Sequence, residues 1–473
     1  MYEVEFPTRS PEILTPIVGA HNVARLVATG NQVREELNGR RVVCVNSTAA
    51  GGGVAEMLAV LLAYTGGVGV DARWLVIEGN PEFFAITKRL HNQLHGEPGD
   101  GGPLGEAERA VLIQTAEQNE ADARRLFEPG DVVLLHDPQP AGMAAWLSAR
   151  RVPLVWRCHV GVDERNQYTE NGWGFLRPLL EPYIDQYVFT RPEYAPEWVP
   201  EGRLHAIHPS LDPFAPKNRD LDPAEVLSTL QHIGILQRDS KRPPDIEGLP
   251  RSPGHVSHFA DIVGEGPAPT PSTPMVVQVS RWDTLKDMGG VMKGFAEEPG
   301  TKDACLVLAG PDVSSVTDDP EGQQVLAQVI EQWRQLPVEA RARILIACLP
   351  MDDAEENALM VNSLQRHAAI VVQKSLKEGF GLTVTEAMLK GRPVVASAVG
   401  GIVDQIHDGL DGVLVLDPRD TKELGRALAD LLADPARSEQ IGVAAREAVI
   451  SKFLPDTSLS LWAATLDAAM ERH

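Results

Sequence analysis

Two glutamates flank a short glycine-rich turn in KEGFGLTVTEAM, residues 377–388. Glu378 stands before Gly379, Phe380 and Gly381, and Glu386 lies within the apolar stretch that starts at Leu382. A carboxylate accepts hydrogen bonds from sugar hydroxyls, and the free N–H groups where a helix begins attract a phosphate. The pair therefore suits one ligand gripped at two points. Thr383 and Glu386 also fit T-x-x-E, a capping box in which Glu386 would only accept from the Thr383 N–H. Glu378 has no such local task.

A cationic counterpart occurs in SRWDTLKD, residues 280–287, where Arg281 follows an apolar run and Lys286 comes five residues later. A guanidinium fork and a point charge suit a diphosphate. In NSTAAGGGVAE, residues 46–56, Gly51, Gly52 and Gly53 separate a strand pattern from a helix pattern. Three glycines there let the backbone approach a ligand and aim helix N–H groups at it. Asp137 in LLHDPQP, with His136 before it, and His159 in WRCHV each end an apolar run. A histidine at a strand end also occurs as a satisfied core group, so these residues are candidates only. The chain has no HExxH, GxSxG, CxxC or Walker A sequence, and no metal site is expected.

The elements that must position these residues are legible as apolar runs. Stretches at 41–47, 72–79, 131–140, 152–160, 184–190 and 204–210 read as strands, and so do 274–280, 304–310, 342–350, 368–375, 392–401 and 412–416. Helical patterns separate them, which predicts parallel βαβ units. The runs do not alternate, as expected for sheets covered by helices on both faces. The fold class is therefore α/β, with two doubly wound parallel sheets. We expect an N-terminal domain over 1–210, a second over 211–445 with a Pro-rich loop or insertion at 236–274, and a helical segment over 446–473 that crosses back to the first. Two such domains are expected to face a central cleft. Ligands of open α/β sheets bind beyond the carboxyl ends of the strands, where the candidate residues fall.

Bulk properties narrow the function. The 473-residue chain is 43% hydrophobic and 23% charged, ordinary for a globular protein of two or three domains. No apolar run reaches the ~18 residues of a membrane span, and the N-terminus lacks the basic start and apolar core of a signal peptide. Cys44, Cys158, Cys305 and Cys348 are scattered through apolar stretches. That is the pattern of buried thiols in a reducing compartment, so a cytoplasmic protein is expected. A net charge of −23 disfavours nucleic acid and anionic membranes but permits a small phosphorylated ligand held locally.

EGFGLTVTEAMLKGRPVVASAVGG resembles the E-x7-E signature of retaining GT-B glycosyltransferases of family 4. The likeness extends to Arg281, Lys286, the glycine-rich first turn and His159, over roughly residues 35–450. VNSTAAGGGVAEML, DARWLVIEG, LLHDPQPAG and WRCHVG are similar to the trehalose-forming subgroup and its trehalose phosphorylase relatives. The resemblance implies a GT-B fold with two Rossmann-like domains. It implies transfer of α-glucose from a nucleoside-diphosphate glucose to glucose, reversibly. Arg281 and Lys286 would hold the diphosphate, and Glu378 the transferred glucose. Gly379, Phe380, Gly381 and Leu382 would supply backbone contacts, Thr383 would assist at the phosphate, and Glu386 would take the ribose. His159 would bind the donor sugar, and Asp137, Gln139 and Gly51 to Gly53 would shape the acceptor side. No cofactor is implied beyond the donor substrate, with Mg2+ at most an assay ion rather than a protein-bound catalytic metal. A homodimer is suggested by resemblance alone. Where the family commonly has Gly after the lysine, Asp287 stands, an acidic neighbour that would weaken donor binding unless it points away. A trehalose phosphorylase, another family 4 hexosyltransferase and a non-catalytic nucleotide-sugar-binding regulator are the alternatives.

Overall fold

The computed structural model describes residues 1–49, 53–238, 256–313 and 320–473. The chain divides into two compact units, Met1–Leu211 with Ser451–His473, and Asp212–Ile450. Each unit carries one seven-stranded sheet.

In the first unit the strands are β1 (Tyr2–Glu3), β2 (Val42–Asn46), β3 (Ala72–Val76), β4 (Val132–His136), β5 (Leu154–Cys158), β6 (Gln186–Phe189) and β7 (Leu204–Ala206). Their order is β1-β3-β2-β4-β5-β6-β7. All neighbours run parallel except β1, which pairs antiparallel with β3. Strand direction of growth reverses between β2 and β4, so the carboxyl ends of those strands mark the ligand-binding switch point.

The second unit has β8 (Asp261–Val263), β9 (Met275–Val279), β10 (Cys305–Pro311), β11 (Ile344–Leu349), β12 (Ile370–Gln373), β13 (Val394–Ser397) and β14 (Val413–Val415). Their order is β14-β13-β12-β9-β10-β11-β8. Here the switch lies between the parallel neighbours β9 and β12. Edge strand β8 is antiparallel to β11, with Ile262 opposite Ala347. It lies inside the stretch 236–274 expected to be a Pro-rich loop or insertion. Three residues between prolines and glycines are too few to display a period, and only pairing with β11 makes them a strand.

Both faces of the first sheet are buried, which is why its strands read as unbroken apolar runs. Val43, Leu135 and Trp156 face one core. Val42, Leu134 and Val155 face another, shared with Trp462 and Leu466 of the helix Pro455–Met470. Fully burying a Val or Leu side chain contributes about 1.5–3 kcal/mol, and both strands and helix are rich in them. The last helix is therefore part of the first unit, and Gln186 Nε2 donates to Ala468 O at 2.9 Å. The boundary expected at 445/446 falls inside the helix Pro435–Lys452. The chain changes unit after Ile450, close to Pro455, which cannot continue a helix from the preceding turn.

The four cysteines are free and buried, and burial pushes the Cys44 thiol up to about 12. Among the described residues, no helix is long and apolar enough to cross a membrane.

Candidate active site

In the second unit, two loops leave the adjacent strands β9 and β12. Asp283 folds the first, its carboxylate accepting from Leu285 N at 2.8 Å to close the turn Thr284–Lys286. Leu376 N donates to Leu285 O at 2.7 Å, which locks the second loop onto the first. The result brings Lys286 and Glu378 together, with Lys286 Nζ 2.5 Å from Glu378 Oε2. Ser375 Oγ donates to the same carboxylate oxygen at 3.0 Å. Gln278, fully buried on β9, donates from Nε2 to Lys286 O at 2.7 Å and accepts the Lys374 N–H at 3.0 Å. A single amide side chain thereby ties the lysine turn to the glutamate loop.

Arg281 is not part of that pair. Its side chain is 72% exposed and bonds Asp283 Oδ2 at 3.1 Å. Asp287 turns away from Lys286. It adopts a left-handed conformation with φ 43°, accepts from Gly290 N at 3.1 Å and pairs with the Lys374 ammonium.

Gly381 has φ 87° and begins the helix Leu382–Leu389 with no side-chain cap. A Cβ there would crowd Glu378 and Ile402 at 3.2 and 3.3 Å, so glycine is needed for both conformation and space. The first N–H groups of the helix lack intrahelical acceptors. Phe380 is buried, and Gly379 O accepts from Gly401 N at 3.2 Å. Thr383 Oγ1 donates to Gln373 Oε1 at 2.9 Å, and Gln373 Nε2 donates to Ser375 Oγ at 2.9 Å. A chain of polar contacts thus runs from Thr383 to Lys286.

The T-x-x-E capping box does not form, because the helix starts at Leu382 and carries Glu386 into its second turn. Glu386 is 4% exposed. Its Oε1 lies 3.5 Å from Lys217 Nζ, while Oε2 is buried with no hydrogen-bond partner among the described residues. One turn on, the buried Lys390 ammonium donates to Gln365 Oε1 at 2.8 Å and Glu386 O at 3.1 Å. Burial lowers the Lys390 pKa to about 7, against the raising effect of the Glu386 charge.

The first unit gathers its candidates at the ends of β4 and β5. Asp137 takes φ 65°, a left-handed turn that Asp tolerates better than most residues. Its N–H donates to Arg157 O at 2.7 Å, and its Oδ1 accepts from His159 N at 2.7 Å. His136 Nδ1 and His159 Nε2 lie 3.2 Å apart, in rings 5.5 Å apart and 17° from parallel. The outer nitrogens, His136 Nε2 and His159 Nδ1, have no partner among the described residues. Burial lowers His136 to about 3 and His159 well below its usual value. Burial also raises Asp137 to about 6 against the opposing His159 N–H and Arg157 charge.

Arg157 itself is buried, donates to Thr190 Oγ1 at 3.2 Å and leaves Nε and Nη1 unpartnered among the described residues. Gln139 is half-buried at the start of the turn Gln139–Met143. Gly53 opens the helix Gly53–Gly67, whereas Gly51 and Gly52 lie outside the described residues.

Sequence reasoning passed over Arg157, Gln278, Lys217, Gln373, Lys374, Ser375 and Lys390. Their signal was present in part: Arg157, Gln278, Gln373 and Lys374 are polar residues inside or at the end of otherwise apolar strand runs, where burial demands a partner.

Two parallel-dominated α/β sheets with this strand order form the GT-B glycosyltransferase architecture. Residues 44–196 match the model for the N-terminal domain of trehalose synthase, and residues 269–448 that for glycosyl transferases group 1. A trehalose synthase of Pyrococcus horikoshii is 33% identical over 461 residues, covering 96% of each chain. One from Rubrobacter xylanophilus is 34% identical over 427 residues, covering 88% of each. A trehalose phosphorylase of Pleurotus pulmonarius is 26% identical, over 89% of this chain and 55% of its own. Among solved structures, a trehalose-6-phosphate protein from E. coli bound with UDP-2-fluoro glucose aligns with a TM-score of 0.66 at 12% identity, covering 90% of this chain and 99% of that one. The chain belongs to the trehalose synthase family.

Proposed function

We propose that this glycosyltransferase makes α,α-trehalose by moving α-glucose from a nucleoside-diphosphate glucose to the anomeric hydroxyl of glucose, with retention and reversibly. The observation that carries the reading is the Lys286–Glu378 pair at the β9/β12 switch. Cleavage of the donor places negative charge on the diphosphate and positive charge on the sugar. Lys286 and the N–H groups at the start of the helix Leu382–Leu389 would meet the first from fixed positions that cost no reorganisation, and the exposed Arg281 would close onto it. Glu378 would accept from hydroxyls of the transferred hexose, and Thr383 would support the phosphate.

Retention follows if the acceptor oxygen attacks from the face the diphosphate leaves. The bond from C1 to the diphosphate oxygen breaks, the bond from C1 to the acceptor oxygen forms, and the acceptor proton passes to the departing phosphate. His159, kept neutral by burial, can exchange one hydrogen bond with a sugar hydroxyl. Asp137 and Gln139 would serve the acceptor.

What supports a nucleotide over inorganic phosphate is Glu386, whose buried Oε2 lacks a donor among the described residues. A nucleotide brings ribose hydroxyls that can donate to it, whereas inorganic phosphate has no ribose. The UDP-2-fluoro glucose bound by the E. coli protein of like fold supports uracil as the first base to try. Four buried free thiols support a reducing, cytoplasmic setting.

The test is NMR analysis of products after incubating the protein with glucose and each of several nucleoside-diphosphate glucoses. α,α-Trehalose formed only with a nucleotide donor is the expected result. Trehalose formed instead from α-glucose 1-phosphate, with phosphate release, would establish the phosphorylase. Nucleotide-sugar binding without turnover on any acceptor would establish a regulator.

A further inference from the structure

The acidic residue after Lys286 has an unexpected partner. Asp287 occupies a left-handed position with φ 43°, where glycine is the residue of lowest strain. Its carboxylate meets the Lys374 ammonium, whose side chain is 1% exposed. Lys374 Nζ also donates to Pro418 O at 2.6 Å. Both lysine and aspartate adjoin the proposed diphosphate site, Asp287 next to Lys286 in sequence and Lys374 next to Ser375. A Cβ at Gly290 would overlap the Asp287 carboxylate, so the following helix carries a glycine that makes room for it.

We propose that Lys374 and Asp287 are a positioning pair for the donor diphosphate, resting on the donor reading above. Lys374 neutralises a carboxylate that would otherwise repel the phosphates. The neutralised carboxylate then caps the helix Met288–Glu297 through Gly290 N and fixes the end of the Lys286 turn. The Lys374 N–H completes the link through Gln278 to Lys286 O. One residue of β12's carboxyl end thus sets both the position and the electrical surroundings of Lys286. The pair replaces a glycine that could supply the turn but neither the cap nor the tie.

The charges make opposite predictions for the two partners. Lys374→Met leaves an uncompensated carboxylate near the phosphates and should weaken UDP binding about tenfold, or ~1.4 kcal/mol. Asp287→Asn keeps a side chain that tolerates the left-handed turn and caps the helix. It leaves an uncompensated ammonium and should tighten UDP binding several-fold, roughly to the same extent by the same Coulombic term. Lys374→Met with Asp287→Asn should return to within about threefold of the parent.

Calorimetric titration of UDP into the full chain and these variants decides the matter. A staple without an electrostatic role would weaken binding in both single variants and in the double. That pattern, or no change in Lys374→Met, overturns the proposal. Where Lys374→Met does not fold, tightening in Asp287→Asn with recovery in the double variant upholds it, and weakening in either overturns it. Lys286→Ala separates the two layers. If it binds UDP like the parent, the donor reading itself fails. If it loses UDP while the Lys374 and Asp287 variants shift together, only the positioning pair fails.

Discussion

The two units share an architecture and handle charge in opposite ways. In the second unit the charges around the switch point come in pairs: Lys286 with Glu378, Lys374 with Asp287, and Lys217 with Glu386. In the first unit the equivalent strand ends bury His136, Asp137 and Arg157 and half-bury His159, with little pairing and several nitrogens unpartnered among the described residues. Burial there forces the groups toward neutrality, and both histidines are lowered and Asp137 raised. The difference fits the chemistry proposed for each. A diphosphate must be met by full charges, which survive partial burial only when counter-ions hold them. A glucose hydroxyl is read by neutral donors and acceptors, for which a charge would be a liability.

The comparison breaks most readily at Lys286. Lys286→Ala should lower the trehalose-forming rate by ~10²-fold or more, the scale of losing one fixed electrostatic stabiliser. Steady-state rates with nucleoside-diphosphate glucose would check it. Near-parent turnover would remove the paired unit from the chemistry. Arg281→Ala, made alongside, sharpens the assignment, because Arg281 is 72% exposed and pairs with Asp283. We expect a comparable loss if it closes on the diphosphate.

A smaller effect concerns acid stability of the first unit. His136 titrates at about 3 when folded and His159 well below its ordinary value, so unfolding takes up protons below the usual histidine pKa of about 6.5. Their contribution is present above that pH and is lost as pH falls toward 3. Asp137 acts in the other sense. Its folded pKa of about 6 favours the fold below its ordinary value and loses that contribution as pH rises through 6. Two histidines outweigh one carboxyl, so the net slope is a loss on acidification of up to ~1.4 kcal/mol per pH unit for each net proton. Urea midpoints from pH 7 to 4.5 should therefore fall in the parent. They should fall less steeply in His136→Phe. Equal slopes would show that burial does not hold this imidazole neutral.

The smallest expected effect is an exception inside the paired unit. Lys390 is buried and lowered to about 7, behaving like the groups of the first unit. A depressed lysine pKa means that stability rises as pH climbs from 7 toward the ordinary value near 10.4. Lys390→Met should flatten the rise in urea midpoint between pH 7 and 9. A parent with no such rise would mean that Gln365, Asn218 and the Glu386 carbonyl solvate the ammonium as well as water does.

Much of this protein is written in local pattern. Twelve strand runs, the glycine at 381 and the glutamates at 378 and 386 could be located because burial on two faces requires unbroken apolar residues, and a left-handed helix start favours glycine. Two strands could not. Tyr2–Glu3 and Asp261–Val263 are too short to have a period and exist only because a neighbouring strand offers its edge.

The site divides along the same line. Residue type and spacing nominated Lys286, Glu378, Asp137 and His159. They could not reveal that Glu386 is no cap, that Arg281 stays apart from Glu378, or that Asp287 is answered by Lys374, 87 residues away along the chain. Partnership across such separations depends on which strands lie side by side. That order, β9 beside β12 and β4 beside β5, is set by tertiary packing, because a sequence names the groups that need partners while only the folded sheet decides which partners they meet.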